Sequence, residues 1–264
     1  MKEENNISVI LPVHELNDET KKLFDNAVKS VQDQLVKPDN LIVVVPKGSD
    51  VNTYMKDYKF DGLKVIIAEN DGETDFASQI NYGVSQCPTE WFSILEYDDE
   101  YANIWFKNVV KYRAAHPNVD LFMPIVVDVD EQNSFVGFTN EAVWANSFSD
   151  ELGVLDNNAL LTYQNFNTDG MVIKKSVYDE FGGFKPSIKL TFIYEFLLRM
   201  TFKDVKTMVI PRFGYKHVNQ RTGSLFAYYR ENLNPIEAKW WLATAKKEYY
   251  FPKDRKITYE VQNG

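Results

Sequence analysis

The sequence contains a single cysteine, Cys87, among its 264 residues. An intrachain disulfide and a cysteine-rich zinc site are therefore excluded, and a reducing compartment is expected. The chain also lacks an apolar run approaching the roughly 20 residues that span a bilayer. Residues 1–6 are charged and polar, unlike the basic and then apolar start of a secretory signal. These absences predict a cytoplasmic protein without a membrane span.

Positive charge is scarce as well. The chain has 29 Lys and Arg against 38 Asp and Glu, which gives a net charge of −9 and a pI near 5.0. This balance argues against nucleic acid or an anionic membrane as the main partner. Hydrophobic residues make up 44% of the chain, enough for a substantial core. Since no linker divides the chain, we expect one domain at 1–225 with a helical C-terminal extension at 226–264 packed on it.

Short apolar segments alternate with amphipathic stretches along most of the chain. The predicted strands are 7–13, 41–45, 63–68, 91–95, 121–127, 171–173 and 205–210. The predicted helices are 23–35, 77–85, 102–115, 175–181, 192–202 and 235–250. Such an alternation predicts an α/β fold with a mostly parallel sheet covered by helices. Residues 128–168 are irregular, which is typical either of a functional loop on the acceptor side of a site or of a plain surface excursion.

An acidic run, Glu-Tyr-Asp-Asp-Glu at 96–100, follows the fourth predicted strand directly. Ligands of open α/β sheets bind at the carboxyl ends of the strands. Two carboxylates placed there, one residue apart, can hold a divalent ion that carries phosphate oxygens. Alternatively, the run caps the next helix, whose N-terminus favours negative charge. The run by itself leaves both interpretations open.

Seven short motifs occur along the chain in a characteristic order. They are the strand 7–15 with its Pro-Val pair, the helix end 30–34, the strand and Gly-Ser turn 43–50, Asn81 with Gly83, the acidic run, the Gly-Gly-Phe turn at 181–184, and Arg199. Together they resemble the family 2 glycosyltransferases of the GT-A fold over about 7–225. The resemblance implies a Rossmann-like GT-A sheet and the transfer of a sugar from a nucleotide sugar, usually UDP-linked, to an acceptor hydroxyl.

The resemblance also assigns the acidic run a role in donor binding. Glu96 takes the first motif position, which contacts ribose or metal, and Tyr97 follows it in the nucleotide site. Asp98 takes the last position, which binds Mn²⁺ or Mg²⁺, and His217 is a further implied metal ligand. The ion would neutralise the diphosphate leaving group as a Lewis acid. Residues 99–100 are then expected only to cap the next helix.

The nucleotide is implied to lie over the first two strands. The expected contacts are Pro12, Val13, Glu15 and Asn81, together with Asp71 in place of the family's aspartate pair, which is Pro46 and Lys47 in this chain. After the last strand, Lys216, Arg221 and Ser224 are expected to form a lid over the diphosphate. The departure at 46–47 leaves the identity of the base open.

The acceptor helix departs most from the family pattern. Inverting members carry a Glu-Asp pair there, and the corresponding positions hold Phe192 and Ile193. Neither accepts a proton, although a positioned base contributes roughly 10²–10⁴ in rate. Asp169 and Glu195 are the remaining candidate bases. A retaining mechanism and a non-catalytic nucleotide-sugar-binding protein are the alternatives.

Overall fold

The computed structural model describes residues 5–219, 221, 231–232 and 234–259. Within these residues nine strands form one sheet. The strands are β1 (Ile7–Pro12), β2 (Asn40–Pro46), β3 (Val65–Asn70), β4 (Trp91–Ile94), β5 (Glu100–Tyr101), β6 (Leu121–Val129), β7 (Phe135–Thr139), β8 (Val172–Lys174) and β9 (Thr207–Val218). Their order in the sheet is β3-β2-β1-β4-β8-β6-β9-β5, and β7 pairs with β6.

Helices cover both faces of this sheet. They are α1 (Thr20–Gln32), α2 (Asp50–Asp57), α3 (Phe76–Ser85), α4 (Trp105–Ala115), α5 (Asn157–Thr162), α6 (Lys175–Phe181), α7 (Phe192–Phe202) and α8 (Pro235–Glu248), with a 3₁₀-helix at Glu141–Trp144. None of the helices in the described part of the chain is both long and apolar enough to cross a membrane. The boundary predicted at 225/226 falls on residues outside those described.

The direction of the strands determines where a ligand can bind. β1 is parallel to β2 and β4, β2 is parallel to β3, and β6 is parallel to β9. β8 lies between β4 and β6 and is antiparallel to both, so β4 and β6 run in the same direction. The carboxyl ends of β1, β4, β6 and β9 therefore meet at one edge of the sheet. This architecture confirms the predicted α/β class with a mostly parallel, helix-flanked sheet.

Burial on both faces explains why the strands are continuous apolar runs in the sequence. In β1, Val9 and Leu11 belong to a core cluster that also contains residues of α1, α2 and α4, whereas Ile10 belongs to a second cluster that contains residues of α3, α6 and α7. Successive side chains of a strand point to opposite faces, so each strand contributes to both cores.

Most predicted elements agree with the structure to within a few residues, and α7 has the predicted bounds. The sequence interpretation missed α2, β5, β7 and α5. Ser49, taken as part of a turn, is the N-cap of α2, because its hydroxyl accepts a hydrogen bond from the Asn52 amide at 3.2 Å. The irregular stretch 128–168 contains the end of β6, β7, the 3₁₀-helix and α5. β9 continues well beyond the predicted 205–210.

A buried charge cluster fastens α7 to its surroundings. Glu195 Oε1 lies 2.8 Å from Lys185 Nζ and 2.9 Å from Arg199 Nε, and at most 1% of each side chain is exposed. Arg199 also donates to the carbonyls of residues 181–183. Lys185 donates to the carbonyl of Glu248 at 2.7 Å. The cluster thus holds the Gly-Gly-Phe turn and the end of α8 against α7.

Removal of one member of this cluster should be costly. We expect Arg199→Met to lower the free energy of unfolding by about 3–5 kcal/mol, because Glu195 would keep a buried charge with one fewer partner. Urea denaturation followed by circular dichroism measures the change. The exposed Arg212→Met is the matched control and should shift it by no more than about 0.5 kcal/mol. Equal effects of the two variants would contradict a stabilising role for the cluster.

Candidate active site

A cavity of about 890 Å³ lies at the edge where the strands end. Each of four strand ends contributes to its lining: Pro12 from β1, the segment 96–98 after β4, Asp128 from β6 and His217 from β9. The volume is in the range of small-molecule sites, and the location is the one at which open α/β sheets bind ligands. The cavity is therefore the candidate active site.

Local backbone contacts hold the acidic residues in place. The amide of Glu96 donates to the Tyr215 hydroxyl at 3.0 Å, which ties the start of the acidic run to β9. Gly170 has φ +69°, and a Cβ atom there would lie 2.6 Å from the Tyr215 ring. The carbonyl of Gly170 accepts a hydrogen bond from Trp105 Nε1 at 2.9 Å. Residue 170 therefore has to be a glycine. The turn at 169–170 places the preceding residue, Asp169, at the strand ends.

Asp99, Asp169 and His217 converge next to the cavity. His217 Nδ1 lies 3.1 Å from Asp99 Oδ2 and 3.5 Å from Asp169 Oδ2. One potential ligand atom from each residue lies within 4.8 Å of the other two. Asp99 Oδ1 also accepts a hydrogen bond from the Val218 amide at 2.9 Å. Asp99 was expected only to cap a helix, and this expectation is wrong: the carboxylate is 1% exposed and faces β9, and α4 begins only at Trp105.

Electrostatics in this cluster reflect burial and crowding of like charges. Burial raises the pKa of Asp169 to about 7, although His217 acts in the opposite direction. Burial, followed by the charges of Asp169, Asp99 and Asp98, raises the pKa of Glu96 well above its ordinary value. Burial alone would lower the pKa of His217, but the neighbouring carboxylates outweigh it and raise the pKa to about 11. The cluster therefore favours any added positive charge.

Asp98 lies on the cavity side of this cluster and interacts with Arg221. Arg221 donates from Nε to Asp98 Oδ2 at 2.7 Å and from Nη2 to the Tyr97 hydroxyl at 2.8 Å. Burial and the charge of Asp99 raise the pKa of Asp98, whereas Arg221 lowers it. Arg221 thus lies at the cavity, and its role in a lid stays a prediction. Ser224, predicted with it, lies outside the described residues.

Only some of the predicted nucleotide contacts lie at the cavity. Pro12 and Glu15 line it. Val13 is fully buried in the core between the sheet and its helices, so it does not form the predicted wall. Asp71 is exposed, lies 3.7 Å from Lys47 and is not one of the lining residues within the described chain. The wall contact predicted for Val13 is therefore wrong. Asp71 lies outside the described cavity lining, and its contact with the base stays a prediction.

Two further predicted contacts have structural partners instead. Asn81 Oδ1 accepts from the Tyr178 hydroxyl at 2.7 Å and the Phe184 amide at 3.1 Å, and its Nδ2 donates to the Phe184 carbonyl at 2.8 Å. Lys216 Nζ lies 2.6 Å from Glu100 Oε1. Asn81 connects α3 to the Gly-Gly-Phe turn, and Lys216 connects β9 to β5. Neither residue lines the cavity in the described chain, so the structure gives no support to their predicted nucleotide contacts.

The wall formed by α7 is apolar. Phe192 and Ile193 line the cavity there, together with Phe76 of α3, whose ring centroid lies 6.0 Å from that of Phe192. The prediction of Glu195 as a base is wrong, because its carboxylate is fully buried within the charge cluster of α7. Asp169, the other candidate base, lies beside His217 rather than among the lining residues of the described chain.

Sequence reasoning missed several lining residues. Asp128 accepts a hydrogen bond from Thr139 at 2.7 Å, which joins β6 to β7 at the cavity. The segment 164–167 brings part of the irregular stretch to the same cavity, which favours the functional loop over a plain surface excursion. Gln79 of α3 is a further lining residue. Only Asp128 had a usable signal, because it follows a predicted strand in the same way as the acidic run.

The fold and the cavity at its strand ends define a GT-A glycosyltransferase fold. The sequence model of glycosyl transferase family 2 matches residues 8–181, and the chain belongs to this family. S. aureus TarS 1-349 is a similar solved structure, with 13% identity, a TM-score of 0.61, and coverage of 98% of this chain and 75% of that chain. No curated protein shows significant similarity to this chain.

Two ligand complexes of TarS 1-349 are similar as well. The complex with UDP has 13% identity, a TM-score of 0.62, and coverage of 92% of this chain and 71% of that chain. The complex with UDP-GlcNAc has 14% identity, a TM-score of 0.58, and coverage of 98% and 76%, respectively. At this level of identity the likeness concerns the fold.

The hydrogen bonds of Asn81 give a prediction about stability. We expect Asn81→Ala to lower the free energy of unfolding by about 1–3 kcal/mol, because it removes the partner of the Phe184 carbonyl inside the fold. Thermal and urea denaturation measure the change, and the exposed Asn146→Ala is the control. An unchanged stability of Asn81→Ala would contradict the structural role.

Proposed function

We propose that the chain is a metal-dependent glycosyltransferase that transfers a sugar from a UDP-sugar to a hydroxyl group of an acceptor. The observation that carries the proposal is the convergence of the acidic run with His217 on one cavity of a family 2 fold. The complexes of TarS with UDP and UDP-GlcNAc support a UDP-linked donor.

The residues at the cavity fit a divalent ion. Carboxylate and imidazole groups are suitable ligands for manganese, and carboxylates for magnesium. His217 Nδ1 faces Asp99 and Asp169, which leaves Nε2 as the ligand atom, an arrangement common for metal-bound histidines. We assign His217 and Asp98 as ligands, with Glu96 beside them. Asp99 and Asp169 would hold the imidazole, and metal binding would release its second proton.

The ion, when bound, supplies Lewis-acid stabilisation of the diphosphate leaving group. Arg221 already lies between Asp98 and the Tyr97 hydroxyl. Its guanidinium can exchange the Asp98 carboxylate for phosphate oxygens, for which it has suitable geometry. Asp98 then becomes available to the metal. Pro12 and Glu15 line the part of the cavity that we assign to the nucleoside.

The acceptor would enter beside the apolar wall of α7. Phe192 and Ile193 stand where the family pattern has its acidic pair, so this wall offers no proton acceptor at those positions. Asp169 was predicted as the base, but its position behind His217 supports a different role. We therefore propose that Asp169 orients His217 and affects sugar transfer only through the metal site.

Donor turnover tests the proposed function. We expect the protein with Mn²⁺ to release UDP from one or more UDP-sugars in a panel, and expect EDTA to stop the release. Asp98→Asn should weaken Mn²⁺-dependent UDP binding by more than about 100-fold, beyond the effect typical of residues around a metal site. Isothermal titration calorimetry measures this binding.

Glu100→Gln is the matched control, because Glu100 belongs to the same acidic run but pairs with Lys216 away from the cavity. It should bind UDP as the wild type does. Unchanged UDP affinity of Asp98→Asn would show that the metal site is wrongly placed. Tight metal-dependent binding without turnover for any donor and acceptor would instead identify a non-catalytic nucleotide-sugar-binding protein.

The role of Asp169 gives a separate prediction. If it holds His217, Asp169→Asn should weaken Mn²⁺-dependent UDP binding by about 10–100-fold and lower turnover at subsaturating Mn²⁺. Calorimetry and UDP release at several Mn²⁺ concentrations measure both effects. Lost turnover with unchanged UDP binding would contradict this role and identify Asp169 as the base.

A further inference from the structure

Gln79 carries a buried side-chain amide of which only the oxygen has a hydrogen-bond partner among the described residues. Its side chain is 1% exposed, and its Oε1 accepts a hydrogen bond from Asn70 Nδ2 at 3.3 Å. Its Nε2 has no hydrogen-bond partner among the described residues. Buried side-chain amides are nearly always satisfied, so an unpaired one at a cavity points to a ligand.

The residue that carries this donor lies at the candidate active site. Gln79 lines the same cavity as Asp98 and His217. It also lies one helical turn after Phe76, whose ring packs near that of Phe192 on the acceptor wall. A sugar being transferred has to lie between the diphosphate, near Asp98, and the acceptor wall. Gln79 therefore belongs to the part of the cavity that faces the sugar.

The surroundings determine which oxygen this donor can bind. Asp75, the N-cap of α3, also lines the cavity, and its carboxylate accepts hydrogen bonds from the Ser78 amide and hydroxyl at 3.1 and 2.6 Å. Its negative charge disfavours a phosphate at this point, so a neutral hydroxyl or acyl carbonyl oxygen is the suitable partner. Asn70 is itself held by the carbonyl of Glu73 at 2.8 Å, so the amide of Gln79 is fixed before a ligand binds.

We propose that the side-chain amide of Gln79 donates a hydrogen bond to a hydroxyl or acyl oxygen of the transferred sugar and thereby selects the donor. This inference rests on the proposed function. A fixed, buried donor discriminates strongly against an analogue that lacks the matching oxygen, because that analogue leaves the donor unpaired. Gln79 is thus assigned as a specificity-determining residue for the sugar.

Gln79→Met tests the inference, because methionine has a similar shape and no amide. We expect UDP to bind as tightly as to the wild type. The UDP-sugar that the wild type prefers should bind roughly tenfold more weakly, the loss of one neutral hydrogen bond. Calorimetry with Mn²⁺ measures both dissociation constants. A panel of deoxy and deacylated donors should show that the variant no longer discriminates at one position of the sugar.

The stability of the free protein gives a second readout. Gln79→Met removes an unpaired polar group, and Asn70 keeps its bond to Glu73, so the melting temperature should be unchanged or higher. The exposed Gln86→Met, at the end of α3, is the control and should alter neither binding nor melting.

Three results for Gln79→Met would overturn the inference. A lower melting temperature would show a structural role, an equal loss of UDP and UDP-sugar affinity would show a nucleotide contact, and unchanged affinities for both ligands would show no sugar contact. A wild-type protein that binds neither UDP nor any UDP-sugar overturns the proposed function, and this inference with it.

Discussion

Crowding of buried carboxylates around one imidazole is the constraint on which the site depends. Asp99 and Asp169 both face Nδ1 of His217, and Glu96 and Asp98 add their charges to the same small volume. Ionised groups in such surroundings are costly unless positive charge compensates them. The sheet imposes this crowding, because it brings the ends of β4 and β9 to one edge. In our account a divalent ion supplies the missing charge.

The two sides of the cavity follow different physical principles. On the donor side, charged groups are held by hydrogen bonds to β9 and by the turn at Gly170. On the acceptor side, Phe192 and Ile193 are presented by a helix that a buried charge cluster fixes from behind. Glu195 forms ion pairs within that cluster, so its carboxylate is not available to a substrate. The proposed donor binding therefore rests on the charges held on the donor side, whereas the apolar wall departs from the acidic pair expected from the family resemblance.

The fold was largely predictable, because strands buried on both faces are continuous apolar runs and α7 has a clear apolar pattern. Because parallel strands end at one edge of a sheet, the acidic run was expected at the edge where ligands bind, and its residues 96–98 do line the cavity there. Contacts between residues distant in sequence were not predictable. Asn81 was interpreted as a ligand contact from the family resemblance, and its partner Phe184, which lies 103 residues away, was not foreseen. Asp99 was interpreted as a helix cap because it precedes a predicted helix, and its partners from β9 were not foreseen.

The most direct test of the central claim is the position of the metal. Crystals grown with Mn²⁺ and UDP would give an anomalous difference map at the manganese absorption edge. We predict one strong peak in the cavity, within bonding distance of His217 Nε2 and an Asp98 oxygen, with the UDP diphosphate on its open side. A peak bound elsewhere, or UDP bound in the cavity without any manganese peak, would contradict this prediction.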